Sequence, residues 1–290
     1  MKNFDIRPWG GWELLLLDSD RIKESVDYVL ERDIDGIWIS SAAGYKLDNI
    51  RPVLDVDGIS KIRAIVFVDG DEFDITGIDK MENLRLLSTG DNTQPLDISA
   101  FPFLEELRQA WHPKLKLSEE NKNLRIVSLR KYKPKSRDLE DFSPFRKLEE
   151  LSIIQSPMNS LQGIGGLGKL KKLELYYLRN LEYLDEIEKL SNTLEIFWCE
   201  NIPKLKNHDY VREMEKLQKL AFLKCGEMPS IKFIEDMPNL RFFSFGGTNV
   251  KDGDMSSLVR LDFAGFDSKK HYSHSFEQIQ EEIKNRNEKE

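Results

Sequence analysis

Apolar positions recur along this chain in a fixed arrangement: an apolar residue, two variable residues, an apolar residue, one variable residue, and another apolar residue. The arrangement runs from Ile34-Ile37-Ile39 and Ile62-Ile65-Phe67 through Leu148-Leu151-Ile153, Leu170-Leu173-Leu175 and Leu194-Phe197-Cys199 to Leu258-Leu261-Phe263, eleven copies in all. Successive copies begin 18–28 residues apart. Side chains on a strand alternate with period two, so the fourth and sixth positions share one face of a short strand. The third, fifth and seventh positions then face the other way. One such strand cannot bury its apolar face alone, but stacked copies form a parallel sheet over a continuous core.

The segments between the strands carry apolar residues at every third position, as in Ile75-Ile78-Met81, Leu139-Phe142-Phe145, Leu161-Ile164-Leu167 and Ile231-Ile234-Met237. A period of three fits 3₁₀ turns better than α-helix. The pattern therefore predicts an α/β solenoid over residues 34–266, with a curved parallel β-sheet on the concave side and 3₁₀, short helical and irregular segments on the convex side. Both ends need caps, because a solenoid's terminal apolar faces must be hidden. At the N-terminus, residues 1–33, Trp12-Glu13-Leu14-Leu15-Leu16-Leu17 predicts a strand beside the first repeat. Ile22, Val26, Val29 and Leu30 then predict a helix over about Arg21 to Arg32, capped by Ser19 or Asp20. At the C-terminus, residues 267–290, Ser275 and Gln278 form a capping-box signature ahead of Phe276, Ile279 and Ile283, with fraying expected from Asn285 onward.

The repeat length and the 3₁₀ signature resemble the internalin-type leucine-rich repeat of about 22 residues. The resemblance implies a non-catalytic module that binds another protein on its concave face. The chain departs from the family at the ninth repeat position, where asparagine is usual: Ser156, Leu178, Ile202, Cys225 and Thr248 stand there, and only Asn92 keeps the asparagine. A regular internal asparagine ladder is therefore not expected.

Composition narrows the function further. The formal net charge is −8, which argues against nucleic acid as the partner. The longest apolar run, Leu14 to Leu17, is far short of the roughly 20 residues a membrane helix needs. The first residues lack the apolar stretch of a signal peptide, so a cytoplasmic protein with no membrane partner is expected. Cys199 and Cys225 are the two cysteines, and both are expected to be buried, free thiols. No cofactor or metal site is expected. Gly163-Ile164-Gly165-Gly166-Leu167-Gly168 matches the dinucleotide fingerprint in letters, but it sits on repeat positions and lacks a following helix. His271 and His274 read as a solvated pair, and Asp69, Asp71, Glu72 and Asp74 as a solvated loop that fails the calcium pattern. Arg130, Lys131, Lys133, Lys135 and Arg137 form a basic loop with a solvent-exposed role as its plainest reading.

The informative residues are those the repeat does not require. In the early copies the outward positions are small, as at Gly36, Ser40, Ala64, Ser88, Gly90 and Ala110, with Trp38 the exception. In later copies they enlarge to Glu174, Tyr176, Ile196, Trp198, Glu200, Leu223 and Phe242. In register, Glu174, Trp198 and Ala221 fall in one row and Tyr176, Glu200 and Leu223 in the next. Aromatic residues rimmed by charge are typical of protein-binding hot spots. A scaffold that binds a protein partner there is the expectation. An inhibitor or immunity protein that blocks a toxin or other enzyme is the alternative, and catalysis by this chain is not expected.

Overall fold

A computed structural model of the protein describes residues 4–68, 73–115, 117 and 120–288. The acidic positions Asp69, Asp71 and Glu72 lie outside the described residues, as does Gly70. The chain divides into two compact units, Met1–Arg130 and Lys131–Glu290.

The first unit holds strands β1 (Ile6–Trp9), β2 (Trp12–Leu16), β3 (Gly36–Ile39), β4 (Ala64–Phe67), β5 (Leu86–Ser88), β6 (Glu106–Ala110) and β7 (Ile126–Arg130). β1 and β2 form an antiparallel hairpin turning at Gly10-Gly11, and from β2 onward each strand pairs in parallel with the next. The pairing aligns Leu15, Ile37, Ile65, Leu87, Leu107 and Val127, all of them buried. The second unit holds β8 (Glu150–Ile154), β9 (Lys172–Tyr176), β10 (Ile196–Glu200), β11 (Lys219–Leu223), β12 (Phe242–Ser244) and β13 (Phe263–Gly265), again parallel and in chain order. Its aligned inward row is Leu151, Leu173, Phe197, Leu220, Phe243 and Ala264, each fully buried. Short 3₁₀ turns at Ile78–Lys80, Glu140–Phe142, Ile164–Gly166 and Lys232–Asp236 return the chain and bury the period-three residues. The chain is thus a leucine-rich-repeat solenoid.

One phase differs from the sequence expectation. β13 pairs Phe263 with Phe242 and Ala264 with Phe243, so the last copy is Leu261-Ala264-Phe266, three residues later than the pattern suggested. Leu258 belongs instead to a 3₁₀ turn. Alanine at the fourth position hid the true phase, because the neighbouring Leu258-Leu261-Phe263 satisfied the same template.

The caps form as expected, with two changes. α1 (Ile22–Glu31) follows a 3₁₀ turn at Ser19–Arg21, and the side chain that caps this turn is Asp18, accepting from the Asp20 N–H at 2.9 Å, rather than Ser19 or Asp20. A single further turn, α2 (Arg51–Leu54), lies between β3 and β4. At the other end, α3 (Phe276–Asn287) carries the full Ser275–Gln278 capping box and buries Ile279 and Ile283. It stays helical through Asn287, beyond the point where fraying was expected.

In the second unit the eighth repeat position is a column of left-handed residues. Lys131, Gln155, Tyr177, Asn201 and Lys224 have φ between 50° and 60°, and Gly247 continues the column. The left-handed bend lets each residue's N–H donate to the carbonyl at the end of the next strand: Gln155 to Tyr176 at 2.8 Å, Tyr177 to Glu200 at 2.8 Å, Asn201 to Leu223 at 2.9 Å. Each non-glycine residue bears about 1 kcal/mol of steric cost there, which these bonds offset.

At the ninth position, other polar groups replace the missing asparagines. Asn92 donates to the Phe73 carbonyl at 2.6 Å, as the family residue would. The Ser156 hydroxyl donates to the Tyr132 carbonyl at 2.6 Å and the Thr248 hydroxyl to the Phe222 carbonyl at 2.5 Å. The Cys225 thiol lies 3.7 Å from the Cys199 carbonyl. A short side chain with one donor can reach a buried carbonyl at this point, so single rungs persist at Asn92, Ser156 and Thr248, while apolar Leu178 and Ile202 interrupt the ladder. Both cysteines are free and buried.

Candidate partner-binding surface

The open face of the sheet differs in character between the units. In the first, the chain's own tryptophans pack on part of that face. Trp9, Trp12 and Trp38 pack over Leu14, Ala64, Val66 and Leu86, all four fully buried although they occupy the open face. Trp9 meets Trp38 edge-on, with ring centroids 5.0 Å apart. The Trp12 indole N–H donates to Glu106 at 3.2 Å, and Glu106, itself buried, also receives the Arg108 guanidinium. A Cβ on Gly36 would stand 1.8 Å from the Ala64 carbonyl oxygen, so only glycine fits. Beside the hairpin lies an open cavity of about 550 Å³ whose lining includes Phe4, Arg7, Leu16, Arg21 and Trp38. Its charges are largely spoken for, with Arg7 paired to Asp5 and Arg21 to Glu24.

In the second unit nothing of this kind covers the face among the described residues. The register brings the expected residues together as the pattern implied: Trp198 stands opposite Glu174 and Ala221, and Glu200 opposite Tyr176 and Leu223. Phe197 and Cys199 point inward and are fully buried, while Ile196, Trp198 and Glu200 are half-buried on the open side. The Trp198 ring stacks against Phe242 at 6.3 Å, and Phe242 stacks against Phe263 at 5.0 Å. Ala221 is fully buried although it faces outward. Phe263, 38% exposed, was missed by the sequence reading because of the phase error. The signal was present: an interval of 18 residues fell below the 20–29 of such repeats.

The polar groups of this face form a network. Glu174 accepts from the Ser152 hydroxyl at 2.5 Å and the Tyr176 hydroxyl at 3.2 Å, and pairs with the Lys172 ammonium at 3.0 Å. Burial, together with the neighbouring carboxylates Glu174 and Glu200, pushes the Tyr176 phenol well above its ordinary range, so it stays protonated. Glu200 accepts from the Asn201 amide at 3.2 Å. Tyr177, next to this patch, is 43% exposed and in the left-handed conformation. Its conformation belongs to the repeat, as at Gln155, Asn201 and Lys224, and its ring adds exposed aromatic surface beside the patch.

The other sequence features resolve into structural roles. Gly163 has φ 93°, its Cβ position is filled by the Glu140 backbone, and its N–H donates to the Glu186 carboxylate at 3.1 Å. The glycine-rich segment is therefore a tight turn, and a carboxylate occupies the place a phosphate would need. His271 meets the Val250 carbonyl at 3.0 Å and His274 lies 3.6 Å from Glu282, so the two are held by different partners. Asp74 is tied to Thr76 and Arg51. In the basic loop, Arg130 pairs with Asp91 at 2.9 Å, while Lys133, Lys135 and Arg137 are exposed. No group of three or more His, Cys, Asp or Glu residues among the described residues is arranged to hold a metal ion. None of the described helices is long and apolar enough to cross a membrane.

No protein-family model matches the sequence, and no curated protein matches it. Solved structures do resemble it. The functional domain of InlJ from Listeria monocytogenes superposes with a TM-score of 0.52 at 19% identity, covering 81% of this chain and 48% of that one. This chain thus spans about half the length of the InlJ domain. The leucine-rich-repeat domain of the type III effector XopL gives 0.48 at 15% identity, over 79% of this chain and 83% of its own. The internalin InlF from Listeria monocytogenes gives 0.46 at 12% identity, over 91% and 84%.

Proposed function

For a chain with the leucine-rich-repeat fold, shared with the InlJ domain of Listeria monocytogenes, we propose a non-catalytic role: it binds a protein partner on the open, concave sheet face of residues 131–290. The observation that carries this reading is the aromatic cluster on the open face, in which half-buried Trp198 stacks on half-buried Phe242 and Phe242 on exposed Phe263, with half-buried Tyr176 on the same face. Folding needs only the inward positions, and large aromatic residues on a sheet face are a liability unless they pack or bind. Aromatic anchors rimmed by polar groups supply most of the affinity in protein interfaces. Glu174, Glu200, Ile196 and Leu223 complete that rim. The first unit's open face is partly covered by its own tryptophans and offers less.

Several observations favour binding over chemistry. Burial pushes the Cys199 thiol up and raises Cys225 to about 12, which leaves neither as a thiolate nucleophile. His208, buried and without a hydrogen-bonding partner on either ring nitrogen, cannot serve as a surface base. A role in blocking a basic toxin or enzyme is the narrower form of this proposal, favoured by the net charge of −8. The test is affinity capture with the full chain alongside the Trp198→Ala and Phe263→Ala variants. A partner retained by the unaltered chain and lost from both variants supports the reading. A partner retained equally by all three places binding elsewhere.

A further inference from the structure

The centre of the patch has a charge that the chain itself does not balance. β9 and β10 place four side chains at the corners of a quadrilateral: Glu174 opposite Trp198, and Tyr176 opposite Glu200. Acid and aromatic residues alternate around it. Strand spacing sets its edges at about 4.8 Å across and about 7 Å along the chain. Of the two acids, Glu174 is neutralised by Lys172 and further held by Ser152 and Tyr176. Glu200 accepts one side-chain hydrogen bond, from the uncharged amide of Asn201, and among the described residues no cation lies within ion-pair distance of it. A half-buried carboxylate without a counter-charge is free to accept a charge-assisted hydrogen bond from a partner's cation. Trp198 is occupied on one side by Phe242, which stacks on it, and its row neighbour across β9 is Glu174.

Resting on the reading of this face as a partner-binding surface, we propose that the quadrilateral is a seat for one arginine side chain of the protein partner. The guanidinium pairs with Glu200 while its plane lies against the Trp198 and Tyr176 rings, combining an ion pair with cation–π attraction. Arginine suits the seat better than lysine because its planar head can stack and pair at once. The neutral network around Glu174 remains as it is, so no second cation is called for.

The experiment titrates the full-length protein with N-acetyl-arginine amide and follows the indole N–H resonance of Trp198, assigned from its disappearance in a Trp198→Phe variant. The expected result is a saturating shift. N-acetyl-citrulline amide, neutral but of the same shape, should give none, and N-acetyl-lysine amide a weaker one. Glu200→Gln should weaken the arginine probe about tenfold, as loss of one charge-assisted contact implies, and should leave the protein's other indole resonances in place. No shift with the arginine probe, an equal shift with citrulline, or an unchanged affinity in Glu200→Gln overturns the proposal. If a partner captured through Trp198 binds Glu200→Gln as tightly as the unaltered chain, the arginine seat is overturned while the partner-binding reading stands.

Discussion

Neighbouring residues on β10 have opposite duties, and this separates folding from function at single positions. Phe197 is fully buried and meets Phe222 edge-on at 6.0 Å. Phe197→Ala should cost about 3–5 kcal/mol in a urea unfolding titration, as cavity-forming core deletions do. Trp198→Ala should cost only about 1 kcal/mol, the worth of its stack on Phe242. The reverse ranking would mean that the sheet faces are exchanged. Tyr177→Gly tests the left-handed column. Glycine accepts φ 60° freely, so stability should hold or rise by up to about 1 kcal/mol, while any partner that touches this ring should bind less well. His208 gives a pH-dependent residue test. Its folded-state value is depressed by burial to about 4, against 6.5 for the unfolded chain. The unfolded chain therefore takes the proton first, and the stability this group supports is complete above pH 6.5 and lost as pH falls toward 4. The slope should approach about 1.4 kcal/mol per pH unit in that window. His208→Leu should flatten it, and an unaltered slope in that variant would assign the acid sensitivity to other groups.

At the scale of elements, the N-terminal hairpin is the part that the repeat pattern did not announce. β2 was expected as a strand and pairs in parallel with β3, but β1 has no alternation to mark it, with Pro8 in a four-residue strand. Its role appears only when Trp9 and Trp12 are seen on the sheet face over Ala64 and Val66. The small outward residue Ala64 was visible in the sequence, yet its reason was not: with Leu14, Val66 and Leu86 it forms a floor for the indole rings of Trp9, Trp12 and Trp38. Gly36→Ala should be among the most damaging substitutions in the first unit, costing about 3 kcal/mol as an overpacked site. Its melting temperature, compared with that of Gly168→Ala, where nothing stands within 4 Å of the new Cβ, gives the check. Equal effects would show that the floor is not tightly packed.

At the scale of the molecule, we propose the division expected from the pattern: a cap over residues 1–33, repeats over 34–266 and a C-terminal cap over 267–290. Each repeat is stabilised through its neighbours, so melting is expected to spread along the chain. Fluorescence of the five tryptophans and far-ultraviolet circular dichroism should then report one coincident urea transition. Limited proteolysis that releases two stable halves, cut within the basic loop near residues 130–137, would show two independently folding units instead.

The sequence by itself determined the repeat, its inward and outward positions, the 3₁₀ returns and the Ser275 capping box, because each depends on periods of two or three and on local hydrogen bonds that neighbouring residues specify. It also placed Trp198, Tyr176 and Glu200 on one face, since register follows once the fourth positions are aligned. The tertiary structure decided the phase of the last copy, where Ala264 left too weak a local signal to compete with Leu261 and only the short interval pointed to the slip. It alone decided that Trp9, Trp12 and Trp38 pack on one unit's open face, and that Lys172 pairs with Glu174 while Glu200 meets no cation among the described residues. The tryptophan packing depends on side chains that meet from strands far apart in the chain, and the pairing of Lys172 on its placement between Glu174 of its own strand and Glu150 of the neighbouring one; no local period carries that information.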